Sequence, residues 1–467
     1  MSEGAENPAA RPGSEGPRPH PMILVLACLG QFMVVLDVSI VNVALPAIRT
    51  SLGFDTTGLQ WVVNAYSLTF AGLMLLGGRI CDLYGRKQVF IIGVTLFSLA
   101  SLLGGMATTQ SQLVAGRALQ GIGAAVLAPA TLTILTTTFT EGPGRTRAVA
   151  SWSAVGAVGG AVGSLLGGVL TQTLSWRWIL LINVPIGAVL VAAAVRYLVE
   201  SRGPRDGGLD IPGTVLVTAG IALLALGTVQ TEEYGWLAAQ TLVPLAAGVA
   251  ALAGFTAVEA RWARNPLVPL GLLRSRAVVG GAAVMLAVGA VMVAMWYFLS
   301  LHMQENLRYT PIQTGMAFIP HTVALIAGAR LATLLIPRTG NRLLIALGCL
   351  IGSTGFAWQS VMAPDFITGV LLPGVVICVG TSLTFTPATL ITTGGAGPHL
   401  AGLLSGMLNT SRQVGGSLGL AALATVAAGA AVPGEGYGRA FVIGAAILAL
   451  TSAATPLLPH DRGPRGR

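Results

Sequence analysis

The sequence predicts an all-α polytopic membrane protein, and three observations carry that prediction. The 467 residues are 54% apolar and only 9% charged, with mean hydropathy +0.77; a soluble domain carries about 25% charged residues. Apolar runs long enough to cross a bilayer, about 20 residues each, recur along the chain. The cations punctuate those runs with a strong bias to one side. The net charge of +9 is therefore membrane topology rather than a phosphate-binding surface, and no nucleic-acid partner is expected.

The runs lie at 22–46, 58–77, 88–107, 112–138, 147–170, 177–198, 211–230, 240–258, 277–303, 312–336, 343–362, 367–390, 400–430 and 438–458, which makes fourteen transmembrane helices. The loops between them are short and leave no room for a soluble domain. Of the 26 Lys and Arg residues, only Arg49, Arg177, Arg308 and Arg439 fall on the side away from the termini, and Arg117, Arg330 and Arg412 fall within spans. All the others lie on the side of the termini. Losing one span would invert every later loop and spoil this bias, so both termini are expected in the cytoplasm.

Residues 1–21 are rich in Pro, Gly, Glu and Arg and read as a disordered cytoplasmic tail, without a cleavable signal peptide. Residues 459–467 form a second tail. Between two Arg-rich segments, 199–276 is a central linker carrying two extra spans. It separates an N-terminal six-helix bundle, 22–198, from a C-terminal one, 277–458. Such halves are often repeats, and GRKQVF from Gly85 is echoed by GNRLLI from Gly340.

The first span holds a lone carboxylate, Asp37, within LDVSIVNVALP (Leu36 to Pro46). An ionised Asp at the bilayer centre costs about 2.5–3.5 kcal/mol, so its presence marks a functional site. An acid that loads and releases a proton there is what a proton-driven transporter needs; the alternative is an Asp tied to a neighbouring helix for packing. The fourth span carries LVAGRALQGIGAA, with Arg117 in the membrane and Gln120 and Gly121 on the same face. Arg117 lies about 8 Å and Asp37 about 14 Å from the same end of their spans, so the side chains are within reach of each other. Snorkelling to the interface is the alternative for Arg117.

After the second span comes GRICDLYGRK, Gly78 to Lys87. Asp82 can pair with a cation on a neighbouring helix and latch one conformation. The fifth span carries GGAVGSLLGGVL, in which Gly159, Gly163 and Gly167 form one small-residue row and Gly160, Ser164 and Gly168 another. Such rows let helices approach closely.

In the loop after the second span, Gly78, Asp82, Gly85, Arg86 and Lys87 match the motif G-x-L-A-D-x-x-G-R-K, and the chain there resembles the major facilitator superfamily. Leu113–Ala125 resembles its fourth-helix motif, where the Arg is linked to proton transfer. The glycine rows, Gly168 included, resemble its antiporter motif, with Ser164 where the family usually has Pro. LDVSIVNVALP, WVVNAYSL (Trp61 to Leu68), SWRWILLINVPIG (Ser175 to Gly187) and the central helix pair resemble the fourteen-helix drug:proton antiporters. The resemblance covers the chain after residue 21. It implies two six-helix bundles around a central cavity, alternating access, Asp37 and Arg117 in proton coupling, and a functional monomer.

The cavity candidates are a polar stripe on the second span (Gln60, Asn64, Ser67), Gln120, and a second stripe on the thirteenth (Ser405, Asn409, Arg412, Gln413, Gly416). His321, after Pro320, titrates near neutral pH when unperturbed; an interior hydrogen-bonded role is its alternative. Trp296, Tyr297, Phe298, Phe318, Phe356, Trp358 and Phe385 are candidate walls of an apolar pocket; ordinary packing or interface aromatics is the alternative for most of them.

Several classes are excluded. A phosphate-binding G-x-x-x-x-G-K-[ST] loop would need a Lys, and Lys87, the one Lys of the chain, is followed by Gln88. An ATP-driven pump is therefore not expected. Cys28, Cys81, Cys349 and Cys378 show no metal-ligand spacing, so neither metal, disulfide nor cofactor is expected. No Ser/His/Asp constellation appears in the spans, so the chain is not read as an enzyme. Only Asp37 is an acid deep in a span, which disfavours dications as substrates. Neutral, zwitterionic, monocationic or anionic lipophilic molecules remain, and Arg117, Arg330 and Arg412 make an anionic group tolerable. Abundant Ala, Gly and Arg suggest a high-GC bacterial genome and hence a bacterial cytoplasmic membrane. The expectation is export of lipophilic small molecules, such as antibiotics, in exchange for protons. A proton symporter or facilitator on the same fold, or a non-transporting membrane sensor, are the alternatives.

Overall fold

A computed structural model of the protein describes residues 20–139, 143–201, 210–261, 270–393, 398–430 and 433–459. The expected tails at 1–21 and 459–467 lie almost wholly outside these residues. The described residues form helices and connecting turns, without a strand. Their long columns are α1 (Pro21–Leu52), α2 (Trp61–Tyr84), α3 (Arg86–Gly105), α4 (Gln110–Thr138), α5 (Pro143–Thr173) and α6 (Trp178–Tyr197). Next come α7 (Ile211–Tyr234), α8 (Ala239–Arg261) and α9 (Arg276–Leu301, extended to Asn306 by a π turn). The last five are α10 (Pro311–Thr339), α11 (Asn341–Gln359), α12 (Ile367–Thr393), α13 (Pro398–Ala428) and α14 (Pro433–Ala454). Among the described residues, eleven helices are long and apolar enough to cross a membrane, a number compatible with the fourteen columns.

Local chemistry sets the helix ends. Thr109 accepts from Gln112 N–H at the start of α4, Asp210 from Gly213 N–H at α7, and Thr310 and Gln313 make a capping box at α10. Gly85 joins α2 directly to α3 with φ +108°, and Gly340 joins α10 to α11 with φ +74°. Only glycine takes such angles without strain, which gives the GRKQVF and GNRLLI echo a structural meaning.

The first and last six helices repeat one packing scheme. α1 packs on α5, α4 and α6, as α9 packs on α13, α12 and α14. α2 and α3 both pack on α4, as α10 and α11 do on α12, and α3 meets α6 as α11 meets α14. The two groups touch through α2 with α13, α5 with α10, and α1 with α9. α7 and α8 lie against each other, and α7 seats on the α2–α13 seam, where Ile221, Ala225 and Val229 cluster with Leu68 and Ala421.

One difference from the sequence reading matters. The first helix continues past the apolar run 22–46 to Leu52, so Asp37 lies near its midpoint, about 22–24 Å from either end. Pro46 does not end the helix, but it has no N–H to give the carbonyl of Asn42, four residues back. That carbonyl instead accepts the Ser300 hydroxyl of α9 at 2.5 Å, and Gln304 Nε2 donates to Val43 O at 2.8 Å. Arg49 pairs with Glu305 at 2.8 Å, and Tyr437 of α14 donates to the other Glu305 oxygen at 3.1 Å. These links close the end of the bundle away from the termini, here the far end.

The Arg49–Glu305 pair is partly exposed, which makes it worth about 1 kcal/mol or less. Glu305→Gln should raise the labelling rate of a Ser300→Cys thiol by a membrane-impermeant maleimide about two- to fivefold. An unchanged rate would show that the ion pair contributes nothing to keeping this end shut.

Candidate functional site

Glycines bring the site together. Gly116 and Gly123 of α4 meet the backbone of α3 at Gly104 and Phe97, and Gly121 meets Tyr66 and Thr69 of α2. Thr69 Oγ1 donates to Ala118 O at 2.9 Å. α4 is thus set at backbone distance from two helices. Behind α1, Gly159, Gly163 and Gly167 of α5 pack on Phe32, Leu36 and Ile40; a Cβ on Gly163 would stand 2.8 Å from Leu36 O. In the other row Gly160 still faces Ser39 of α1, whereas Gly168 meets Pro311 and Ser164 meets Gly315 of α10 in the opposite half.

Between these helices Asp37 is fully buried (0% exposed) and Arg117 nearly so (2%). Arg117 Nη1 donates to Asp37 Oδ2 at 2.6 Å. Gln120 Nε2 and Asn183 Nδ2 donate to Oδ1 at 2.6 and 3.2 Å. Arg117 Nη1 also donates to Gln120 Oε1 at 2.7 Å, and its Nε to Val62 O at 3.0 Å. The Tyr66 ring covers the guanidinium at 4.5 Å. Ser101 accepts from both Gln120 and Asn183 and donates to Leu180 O at 2.8 Å. Helices α1, α2, α3, α4 and α6 thus converge on one carboxylate. Three donors and no acceptor face it, the complement of an ionised Asp. Asn183, Ser101, Tyr66 and the Val62 carbonyl were not among the sequence candidates. The one available signal was that Asn183 and Tyr66 fall in segments that carry the family resemblance.

The cavity candidates separate. Phe385, Asn409 and Arg412 line a cavity of about 170 Å³ with Met285, Thr389 and Leu408. Gln120 belongs to the carboxylate network. Gln60 and Asn64 are buried, with Asn64 Nδ2 donating to Gln60 Oε1 at 3.4 Å. Tyr297 packs edge-on against Phe298. Trp296, Phe318 and His321 form an aromatic cluster inside the last six helices, and Gln413 is half-buried on α13. Tyr297, Phe318 and His321 are shut off by packing rather than lining that cavity.

His321 Nδ1 and Nε2 face the carbonyls of Ala317 and Val370 at 3.0 and 3.1 Å. Val370 lies in the π turn that opens α12, where backbone pairing departs from the α pattern. The ring fits because residue 374 is glycine, since a Cβ there would fall on Nε2. Gly374→Ala should therefore destabilise the fold by about 1–3 kcal/mol through overpacking. An unchanged melting temperature would place the ring elsewhere.

In the GRICDLYGRK loop, Gly78 lies within α2, and the Asp82 side chain is outside the described part of the structure. The cations meet the end of α6. Arg86 Nη1 donates to Ser201 Oγ at 3.2 Å and Lys87 Nζ to Val195 O at 2.8 Å. Glu200, unnoticed in the sequence, caps α3 by accepting from the Lys87 and Gln88 N–H groups, both at 3.2 Å.

The Major Facilitator Superfamily profile matches residues 27–420. The chain belongs to that superfamily. Cephamycin export protein CmcT of Amycolatopsis lactamdurans is 49% identical over 447 residues, covering 93% of this chain and 92% of that protein. Puromycin resistance protein pur8 of Streptomyces alboniger is 38% identical over 433 residues, covering 91% and 85%. A POT family transporter solved with a thioalcohol-conjugated peptide superposes with TM-score 0.70 at 12% identity over 94% of this chain and 96% of that one, a likeness of fold. This superfamily member is thus a polytopic transporter, not an enzyme, and its close relatives are antibiotic export and resistance proteins.

Proposed function

We propose that the protein exports lipophilic small molecules, antibiotics among them, in exchange for protons, with Asp37 as the proton carrier. The observation that supports this most is the Asp37–Arg117–Gln120–Asn183 network, buried at the midpoint of α1. A proton arriving at Asp37 would cancel the charge that holds Arg117, Gln120 and Asn183 on one point. The three helices that carry those groups, α1, α4 and α6, would then be free to repack, which ties proton loading to a change of shape. Release would restore the network. One charge moved down 100 mV supplies about 2.3 kcal/mol, enough to drive a substrate uphill.

In this reading the end carrying the termini faces the cytoplasm, because it bears most of the cations. The closed far end and the cavity at Arg412 then belong to a cytoplasm-facing stage of alternating access. Segments 22–198 and 277–458 are the moving bundles, 199–276 joins them, and one chain suffices. The cluster of Gly78, Asp82, Gly85, Arg86 and Lys87 acts as the latch on the cytoplasmic side.

The test is proton flux in proteoliposomes. Adding puromycin, or a cephamycin, to one side should drive protons the opposite way, in proportion to substrate moved. Proton movement in the same direction as substrate would replace antiport by symport. Substrate movement without any proton movement would remove the coupling.

A further inference from the structure

Arg412 is a cation within a span that the Asp37 network does not use. It lies 14 residues from the start of α13, about 21 Å along a 31-residue helix, so it is too deep to snorkel. Its backbone is packed hard against Gly289 of α9, and the next turn, at Gly415, is packed against Leu286. The side chain lines the cavity with Met285, Phe385, Thr389, Leu408 and Asn409 and is solvent-accessible there.

Its partners are neutral. Nη2 donates to Asn409 Oδ1 at 2.9 Å, and the guanidinium carbon stands 5.9 Å from the centre of the Phe385 ring. Among the described residues no carboxylate pairs with it. Met74 of α2 approaches Asn409 at 3.7 Å, and Asp82 is eight residues further toward the terminal end, about 12 Å along the helix. Arg117 provides the contrast, since it has a carboxylate, an amide and a carbonyl oxygen as acceptors.

A guanidinium offers five N–H donors in a planar fork that matches a carboxylate, and among the described residues Arg412 donates one side-chain hydrogen bond, to Asn409. A charge at this depth without an anion marks a substrate pathway. The rest of the lining is the Phe385 ring, the Met285 thioether, the Leu408 side chain and Thr389, whose hydroxyl is turned to the Phe385 carbonyl at 2.9 Å; these suit a flat apolar body. We propose that Arg412, held by Asn409, is the anchor for a substrate carboxylate, and that the exported molecules include lipophilic organic anions. This rests on the export reading and names its substrate class.

The test compares dansylglycine with dansylglycinamide, which share the aromatic body and differ in the charge. Binding is read from dansyl emission with the protein in phosphatidylcholine nanodiscs. The wild type should bind the carboxylate at least about tenfold tighter, and Arg412→Gln should bring the ratio of affinities below about threefold. Arg412→Lys keeps the charge but loses the fork; it should lower the ratio yet leave it above one, and it carries the test if the Gln variant does not fold. No preference in the wild type, or a preference intact in both variants, overturns the anchor. Loss of the preference when phosphatidylglycerol is added would assign the anion to lipid and overturn the substrate role. The readout is binding, so its failure leaves export to be judged on puromycin flux. Carboxylate binding through Arg412 without any flux would support the anchor while removing export.

Discussion

Asp37→Asn should abolish uphill efflux while leaving downhill exchange of substrate. One proton moving through 100 mV sustains a concentration ratio of about fiftyfold, and the variant should sustain a ratio near one. The reason is chemical, because an amide in place of the carboxylate carries no titratable proton. A carrier that still changes face can equilibrate its substrate but cannot concentrate it. Counterflow of labelled puromycin between preloaded proteoliposomes reads the exchange, and accumulation against an imposed potential reads the coupling. Uphill accumulation by the variant at wild-type level would free Asp37 of the proton. The geometry adds a second consequence. Asp37 accepts from Arg117, Gln120 and Asn183, and an Asn amide would turn one of those acceptor atoms into a donor facing a donor. The variant should therefore also melt at a lower temperature.

Arg117→Met should be the most destabilising single change in the first six helices. It removes one partner of a buried ion pair and leaves the Asp37 carboxylate without its cation, a loss of about 3–5 kcal/mol. The Val62 carbonyl and Gln120 Oε1 lose donors at the same time. Adding Asp37→Asn to this variant removes the stranded charge. The double variant should be more stable than Arg117→Met alone, a coupling of the kind seen between residues in contact. Additive losses in such a cycle would mean that the two side chains do not depend on each other. Transport should remain lost in both variants, which separates the structural contribution of the pair from its part in coupling.

Much of the network was legible because charge in an apolar run is conspicuous. Asp37 and Arg117 stand out by cost alone, and Gln120 follows from helical spacing. Asn183 and Ser101 do not stand out, since a neutral polar side chain in a span is cheap and has many possible neighbours. Glu200 looked like an ordinary residue of a charged loop until the turn at Gly85 placed it over the start of α3. For the aromatic residues the sequence left pocket wall and ordinary packing both open. Phe318 and Tyr297 carry the composition of a pocket wall, yet both are buried by neighbours that are remote in sequence.

By itself the sequence determined that this is a polytopic helical transporter, how its cations are distributed, and which membrane charges need an explanation. These follow from transfer free energies, which act on each residue and each 20-residue window without knowledge of the rest. Only the tertiary structure decided which charge meets which. It gave Asp37 three donors from two other helices, and it turned the carbonyl freed by Pro46 toward Ser300 of the opposite half. It also left Arg412 in a cavity with neutral company. Helix rotation and approach settle those outcomes, through glycine rows whose contacts lie far apart in the chain.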